Sequence, residues 1–364
     1  MAAGRKQRRT WPGLVLIGLG VATLVVAALL PTYMVPRLKR IPADIRIEAV
    51  SLADNSSVLD AAAALNGHLR TETGVPIKVQ TLVVSAEPTD ADRVTLVDTT
   101  RLLRTDRQGA NALVTARAEA VTLDRSSSEP VEPVGQIKLE FDKPAKPVAR
   151  NGFQFHFPFD TKRQSYPYFD VTARQDIPID YVDDDRIEDG MRLLHFRHVV
   201  GPIDLYPTQP DMQTTVPASW WGLPGEEQTR FDLWYSNTRD IWVEPTSGAI
   251  IEQREHVKRR LARYADDPMG VTSLEIQTHF DDTSVAEAVH TAHQAKLLIR
   301  WGTLYGPIVL AVLGGAAVAG GLLLNRTGRR RAGSTTEPSP TSPPPRYWTP
   351  APPTPGSTTE TSPG

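Results

Sequence analysis

Aromatic side chains are concentrated in the stretch GFQFHFPFDTKRQSYPYFD, which runs from Gly152 to Asp170. Four phenylalanines occupy every second position of its first half: Phe153, Phe155, Phe157 and Phe159. On a β-strand such residues point to one face, so they would form a continuous apolar wall, with Pro158 marking an edge or a bulge. This wall either fills the core of a domain or lines an apolar cavity for a ligand such as an acyl chain.

A second aromatic pair, Trp220 and Trp221, lies in the Pro- and Gly-rich segment VPASWWGLPG. A tryptophan pair in a loop usually packs against its own domain, but it can also contact a lipid interface. Together with the four phenylalanines, these two residues are the candidate ligand-binding residues.

Histidine and acidic residues offer few metal-binding patterns. His195 and His198 lie three positions apart in a predicted strand, so their side chains point to opposite faces. His290 and His293 share one face of a predicted helix but have no evident third ligand, which favours a surface or membrane-proximal role. The acidic segment DYVDDDRIEDG, residues 180–190, places an isoleucine where an EF-hand needs an oxygen ligand, so we interpret it as a solvated turn.

Other catalytic signatures are missing from the chain. It has no cysteine, which excludes disulfides, thiolate zinc sites, iron–sulfur clusters and cysteine nucleophiles. It also lacks the G-x-S-x-G, P-loop, G-x-G-x-x-G and H-E-x-x-H motifs. The net charge of −2 provides no global field for nucleic acid. We therefore expect a protein that is not an enzyme, has no cofactor and does not bind nucleic acid.

The two ends of the chain carry apolar stretches, residues 12–35 and 301–325, that are each long enough to cross a membrane as a helix. The first follows a basic segment and is either a cleaved signal peptide or an uncleaved anchor. Its length and the lack of an A-x-A site favour the anchor. Basic residues precede the first stretch and follow the second, so both termini are predicted to be cytoplasmic in the plasma membrane.

This topology divides the chain into five parts. They are a basic cytoplasmic N-terminus (1–11), a membrane helix (12–35), an extracytoplasmic domain (36–300), a second membrane helix (301–325) and a cytoplasmic tail (326–364). Residues 334–364 are so rich in Pro, Ser and Thr that we expect them to be disordered. Such a tail is either without a partner or docks as polyproline II into a protein partner.

The outer domain shows mostly β patterning. Runs rich in Val and Thr predict strands over residues 77–85, 93–104, 112–124, 136–141, 191–200, 230–244, 249–260 and 273–280. The sequence VEPTSGAII predicts a hairpin turn between two of them. Helices are predicted over residues 56–69, with Ser57 as cap, and 281–299, which runs into the second span. The expected fold is α+β, mainly β, with a large twisted antiparallel sheet or open barrel.

The doubly anchored layout, FPFDTKRQSYPYFD and WYSNTRDIWVEPTSGAIIEQRE together resemble a two-pass envelope family of actinobacteria with the label porin PorA. The resemblance covers about residues 10–325 and leaves out the tail. It implies a location in the envelope of an actinobacterium and supplies no catalytic residues. The layout is also similar, more loosely, to doubly anchored scavenger receptors of animals, which pass lipids through an internal tunnel.

These observations lead to two functional hypotheses. The first is a non-enzymatic envelope membrane protein whose outer domain binds or passes an apolar component such as a lipid. Its strands carry charges on both faces, so the domain is not expected to be a membrane-crossing barrel. The alternative is an envelope interaction scaffold or sensor. An apolar cavity would favour the first hypothesis, and a filled core with an exposed apolar patch would favour the second.

Overall fold

The structure is a computed structural model that describes residues 11–132, 135–138, 144–184, 187–188 and 190–332. It contains two compact units, one formed by residues 23–312 and the other by residues 11–22 with residues 313–332. Strands predominate over helices, so the predicted α+β, mainly β class is confirmed. The Pro-rich tail and parts of the acidic segment 180–190 lie outside the described residues.

Fifteen strands form within the described ranges, because runs rich in β-branched residues alternate with turn residues. They are β1 (Arg46–Leu59), β2 (Thr71–Ala86), β3 (Arg93–Arg104), β4 (Leu113–Asp124), β5 (Gly135–Lys138), β6 (Lys146–Val148), β7 (Tyr166–Asp170), β8 (Gln175–Asp183), β9 (Ile187–Glu188), β10 (Met191–Arg192), β11 (Leu194–Asp204), β12 (Gln213–Pro217), β13 (Gln228–Val243), β14 (Ile250–Ala262) and β15 (Val271–Phe280). Thirteen of them make one antiparallel sheet in the order β6-β5-β4-β3-β2-β1-β15-β14-β13-β11-β8-β7, with β12 also paired to β13. β9 and β10 pair separately.

This sheet is strongly curved. In a flat sheet β4 and β13 would lie about 29 Å apart, six spacings of about 4.8 Å. Residues of both strands nevertheless line a single cavity. The two ends of the sheet also meet through packed side chains, because Ile137 and Val148 on β5 and β6 contact Phe169 and Val171 at the end of β7. The sheet is therefore an open barrel, as expected.

One predicted helix is largely wrong. Residues 56–59 of the predicted helix 56–69 belong to β1, which pairs with β2 along most of its length. Only α2 (Ala61–Leu65) is helical there, and its cap is Asp60, which accepts a hydrogen bond of 3.0 Å from the amide of Ala63. Pairing with β2 buries Ser56 and Val58, and this tertiary gain outweighs the helix propensity of the alanine run.

The predicted helix at residues 281–299 is confirmed as α3 (Asp282–Arg300), capped by Asp281 through the amide of Ser284 at 2.9 Å. It continues through a π-helical turn, Trp301–Tyr305, into α4 (Gly306–Ala332). At the other end of the chain lies α1 (Trp11–Leu38). By length and composition, α1 and the continuous helix Asp282–Thr327 can each cross a membrane.

Glycines allow the ends of the two long helices to touch. A Cβ atom added to Gly13 would lie 2.9 Å from the carbonyl oxygen of Gly321, and one added to Gly20 would lie 2.7 Å from that of Gly314. These small residues therefore let the two helices pack closely. Gly18 on α1 faces open space and takes no part in this contact.

Both long helices are also fixed to the sheet. At the end of α1, the amide of Ile41 donates to the carbonyl oxygen of Arg125, whose guanidinium donates back to Ile41, both at 2.7 Å. On α3, the amine of Lys296 lies 3.2 Å from the buried carboxylate of Glu244 in the β13–β14 turn. Each helix thus reaches a different turn of the curved sheet.

Candidate functional site

A cavity of about 420 Å³ lies inside the curved sheet. Its wall is formed by the inner faces of β1–β4 and β13–β15, and the segment from Gln154 to His156 and helix α3 complete it. All of these elements belong to the compact unit of residues 23–312. The cavity is more enclosed than a second one on the outer side of the sheet, beside Asp240 and His256.

Side chains along the inner face change from apolar to polar and back to apolar. On β3 the inward positions are Leu96, Asp98, Thr100 and Leu102, and the two leucines belong to different core clusters. Alternation along a strand keeps all four on one face. β2 repeats the pattern with Val79, Thr81 and Val83, and β4, β13 and β14 contribute further charged side chains, so a ring of charged groups crosses the cavity. We call this ring the polar belt; it comprises Asp98, Arg117, Arg239, Glu255 and Arg259.

On one wall, Asp98 of β3 lies opposite Glu119 of β4 in the strand register. Arg117 lies 3.6 Å from Asp98 and 4.0 Å from Glu119. Behind them, the guanidinium of Arg150 donates a hydrogen bond of 2.9 Å to Glu119. Burial, together with the charge of Glu119, raises the pKa of Asp98 to about 6, although Arg117 acts in the opposite direction. Asp98 is therefore a carboxylate that gains a proton under mildly acidic conditions.

On the opposite wall, Arg239 of β13 lies opposite Glu255 of β14, and its Nε donates a hydrogen bond of 2.6 Å to that carboxylate. The guanidinium carbon of Arg239 also lies 5.2 Å from the centre of the Tyr168 ring. Burial alone would lower the pKa of Arg239, but the charge of Glu255 and its other neighbours raises it well above the usual value. Arg239 therefore keeps its positive charge.

Asp170 supports this wall from behind. Its carboxylate accepts hydrogen bonds from the hydroxyl of Tyr235 at 2.9 Å and from the amides of Thr172 and Ala173. Burial would raise the pKa of Asp170, but these donors, His198 and the charge of Arg239 hold it below its ordinary range. The arrangement keeps a buried negative charge beside the belt.

Arg259 on β14 differs from the other arginines of the belt. Its Nη2 donates a hydrogen bond of 3.3 Å to the hydroxyl of Thr172, while its Nε is buried without a partner. Among the described residues, no carboxylate lies within ion-pair distance of it. Burial lowers the pKa of Arg259, and the charge of Arg117 adds to this effect. Arginine nevertheless remains protonated in proteins, so a cation borders the cavity.

The predicted phenylalanine wall is wrong in its geometry. Residues 152–160 form an irregular segment in which only Phe153 makes a β-bridge, and the four rings enter two clusters. Phe153 and Phe157 are buried with Tyr166 and Phe196, whereas Phe155 and Phe159 pack beside Val83 and Leu96. Phe155 also lies on the cavity wall. A role of these rings in ligand binding remains a prediction.

The tryptophan pair lies away from this cavity. Trp221 is buried and stacks on Phe231 with ring centres 3.5 Å apart. Trp220 is half-buried, and its indole lies against Gly67. Trp221 thus packs within its own domain, and a ligand-binding role for the pair likewise remains a prediction.

The histidines are distributed as the sequence indicated. His195 lies on one face of β11 beside Asp183 and Asp240, whereas His198 lies on the other face against Tyr168. His290 and His293 are exposed on α3. Over the described ranges, no group of three metal-ligating side chains comes together.

Sequence reasoning missed the polar belt. Its charged residues alternate with outward-facing residues inside predicted strands, where a charge ordinarily indicates the solvent side. The available signal was the spacing of Asp98 between Leu96 and Leu102, which places a charge on the same face as two core leucines. That pattern shows an inward charge but not the partners that curvature brings to it.

Comparisons with known proteins give the family. A sequence model described as Porin PorA matches residues 12–323, which is most of the chain. The chain belongs to the Porin PorA family. It is 27% identical to a protein named Porin PorA from Corynebacterium amycolatum, over 83% of this chain and 95% of the relative. It is 29% identical to a Porin PorA from Corynebacterium resistens, over 86% of this chain and 96% of the relative. The predicted resemblance is thereby confirmed.

Family membership corrects the predicted function. Together with the two apolar helices, it makes the chain an envelope membrane protein. Both relatives carry the name of a porin, which contradicts the prediction of a lipid-binding protein without a channel and gives no support to a scaffold or sensor. The polar belt supplies a physical reason, because an acyl chain lying across ionised arginines and carboxylates would remove water from their charges at a high cost.

Proposed function

We propose that the protein is a channel that conducts small hydrophilic solutes through the envelope membrane, and that the solutes pass the cavity of the outer domain. The observation that carries this proposal is the ring of charged side chains across that cavity. A hydrophilic solute loses water on entering a narrow passage, and fixed charges and hydroxyl groups replace part of its hydration. The porin name of the relatives points in the same direction.

The apolar ends of the cavity suit the same function. Clusters around Leu102 and around Leu96 flank the polar belt, so a permeating solute meets apolar constrictions before and after it. Short apolar constrictions restrict flow by limiting water, while the charged ring between them selects by charge. Channel function of this kind needs no catalytic group.

The proposed topology follows from the charges at the two spans. Residues 36–300 form the extracytoplasmic domain, and both termini are cytoplasmic in the plasma membrane. Support comes from the basic residues before α1 and from Arg326, Arg329, Arg330 and Arg331 after the apolar part of α4. Two helices do not enclose a water-filled path, so we propose that several copies assemble around the membrane part of the pore.

The test is electrical recording with the purified full-length protein in planar lipid bilayers. We expect stepwise conductance in potassium chloride. Thr100→Phe, which places a ring inside the cavity, should lower the single-channel conductance severalfold. Thr99→Phe is the matched control, because the neighbouring threonine lies outside the cavity lining on the same strand.

Two results would contradict the proposal. Absence of any conductance from correctly folded protein would exclude a channel. Equal conductance of the Thr99 and Thr100 variants would place the solute path outside this cavity. Circular dichroism of each variant in detergent shows that it has folded before it is recorded.

A further inference from the structure

Arg259 is a cation whose hydrogen-bonding capacity is only partly used by the protein. One guanidinium nitrogen donates to Thr172, and the buried Nε has no partner. A buried donor without an acceptor is costly and therefore uncommon in folded proteins. In a cavity wall, such a donor marks a place where a ligand completes the hydrogen bonding.

Thr172 adds a second donor at the same place. Its hydroxyl oxygen accepts the hydrogen bond from Arg259, so its own hydroxyl proton is directed elsewhere. Both residues line the cavity. An oxyanion beside them would receive a charged hydrogen bond from the guanidinium and a neutral one from the hydroxyl.

Arg117 provides a second cation facing the same space. Its Nε is also buried without a hydrogen-bond partner, and its Nη2 lies only at 3.6 Å from Asp98. The positive charges of Arg117 and Arg259 act on each other and lower the pKa of Arg259. A negatively charged ligand between them would remove this repulsion.

The charges of the belt leave an excess of one cation at the cavity wall. Arg117 faces Asp98 and Arg239 pairs with Glu255, which leaves Arg259. Behind the wall, Glu119 pairs with Arg150, and Asp170 is held by Tyr235, His198 and two amides. At the rim, Arg46 pairs with Glu48, and Glu287 is exposed on α3.

We propose that Arg259, Thr172 and Arg117 form a binding site for a small oxyanion, a carboxylate or a phosphate, inside the cavity. The inference rests on the proposed function in one respect, since it names the solutes that the channel would favour. Planar guanidinium groups bind both kinds of oxyanion through paired hydrogen bonds. The cavity of about 420 Å³ holds such an anion together with several water molecules.

Titration calorimetry of the full-length protein in detergent tests the site without any conductance measurement. Sodium phosphate and sodium acetate are titrated separately, and sodium chloride at equal ionic strength is the reference. We expect wild-type protein to bind at least one of the two oxyanions. Arg259→Gln should weaken binding roughly tenfold, because it removes a charged hydrogen-bond donor. Lys258→Gln is the matched control, since it removes the same charge from the next residue, which lies on the outer face and pairs with Glu275.

Thermal unfolding gives a second readout that a purely structural arginine would not change. Anion binding to the folded state raises Tm by mass action, so phosphate or acetate should stabilise the wild type and Lys258→Gln. Arg259→Gln should be at least as stable as wild type without anion, because it removes an unpaired cation, and should lose the anion-dependent rise. Arg117→Gln, tested in the same way, should show a partial loss.

The inference is overturned if neither oxyanion binds wild-type protein at concentrations up to about 10 mM. It is equally overturned if Arg259→Gln and Lys258→Gln bind with the same affinity. Binding of phosphate alone or of acetate alone supports the site and identifies its preferred ligand. If the protein conducts ions but does not bind oxyanions, the site is refuted and the channel is not. If it binds oxyanions but does not conduct, the channel is refuted and the site is not.

Discussion

The amide of Phe157 donates a hydrogen bond of 2.9 Å to the carbonyl oxygen of Gly248, and a Cβ atom on Gly248 would lie 2.1 Å from the carbonyl oxygen of Phe157. Phe157 belongs to the aromatic stretch FPFD, and Gly248 belongs to the turn VEPTSG. The two sequence motifs that carry the family resemblance therefore lie against each other, backbone to backbone. Their joint appearance reflects a structural contact.

This contact predicts that Gly248→Ala strongly destabilises the outer domain. The new methyl group would overlap the Phe157 carbonyl, and the φ of +75° at Gly248 is itself unfavourable for alanine. We expect a loss of about 3 kcal/mol in the free energy of unfolding, measured by thermal or denaturant unfolding of the full-length protein in detergent.

Gly222→Ala separates the two causes. Gly222 has nearly the same φ, +74°, but open space around the added Cβ atom. It should cost only about 1 kcal/mol, the ordinary penalty of the left-handed conformation. Equal losses for the two variants would show that the backbone contact with Phe157 contributes nothing.

The same contact explains what the sequence predicts well and what it does not. Strand β3 has the predicted bounds, and the turn between β13 and β14 lies at the predicted VEPTSG, because Val, Thr, Pro and Gly determine these elements locally. The alternation of phenylalanines is compatible with a strand, and it is equally compatible with an irregular segment whose rings pack alternately into two clusters. Which alternative forms depends on the docking of Phe157 against Gly248, about 90 residues away, and no local pattern contains that information.

The cavity is unpredictable for a related reason. Arg117 on β4 and Arg239 on β13 lie six strands apart in the sheet, and only its curvature places them around one space. Periodicity indicates which face a side chain shares with its neighbours on the same strand. Periodicity does not indicate which strand lies opposite a given side chain across the curved sheet.

Asp98 predicts an unusual dependence of stability on pH. Its folded-state pKa of about 6 exceeds the ordinary value of 3.8, so the folded protein binds this proton more tightly than the unfolded chain. The stabilisation from Asp98 is therefore present below about pH 4 and is lost as the pH rises to about 6. This difference in pKa corresponds to about 3 kcal/mol. We expect Asp98→Asn to be more stable than wild type at pH 7 and equally stable at pH 4, measured by unfolding at both values.

Asp90 provides a control of opposite sign. Hydrogen bonds from the amide of Asp92 and from Arg93 lower its pKa to about 2, so its contribution is lost only as the pH falls from about 4 to about 2. Asp90→Asn should not raise stability at pH 7. A wild-type stability that is constant between pH 4 and pH 7 would contradict the assignment for Asp98.

The proposed channel should become more anion-selective at mildly acidic pH. Protonation of Asp98 removes a negative charge that faces Arg117 and Glu119 on β4, while Arg239 and Glu255 on the opposite wall stay paired. Burial lowers the pKa of the neighbouring His156 to about 4, so it stays neutral above pH 5. The reversal potential in a potassium chloride gradient should shift towards that of chloride between pH 7 and pH 5. Asp98→Asn should show the anion-selective value at both pH values, and a pH-dependent shift that persists in this variant would exclude Asp98 as the cause.

The absence of native cysteines permits a direct test of the topology. Gln108→Cys lies in an exposed turn after β3, in the proposed extracytoplasmic domain, whereas Ala2→Cys lies in the proposed cytoplasmic N-terminus. A membrane-impermeant maleimide applied to intact cells should label Gln108→Cys and leave Ala2→Cys unlabelled until the membrane is opened. Labelling of both sites in intact cells would place the N-terminus outside, whereas no labelling of Ala2→Cys even after the membrane is opened would show that the first span is removed.

The ion pair between Lys296 and Glu244 predicts how strongly the second membrane helix is fixed to the sheet. The Glu244 side chain is fully buried; one carboxylate oxygen accepts hydrogen bonds from Ser247, and the other faces the amine of Lys296 at 3.2 Å. Lys296→Met removes the cation and leaves a buried negative charge uncompensated. Breaking a buried pair in this way costs about 3–5 kcal/mol, so we expect a clear fall in Tm for the full-length protein in detergent.

Two further variants identify the origin of that loss. Adding Glu244→Gln to Lys296→Met removes the unpaired charge as well, and it should restore part of the lost stability because the amide oxygen can still accept from Ser247. Lys258→Met breaks an exposed pair with Glu275 and should cost no more than about 1 kcal/mol. Helix α3 continues into the membrane helix, and the β13–β14 turn contacts the aromatic segment. Loosening the Lys296–Glu244 pair should therefore also change the open probability of the channel without changing its ion selectivity. If Lys296→Met and Lys258→Met cost the same, the helix is held to the sheet by its apolar contacts around Val289 and Ala292 instead.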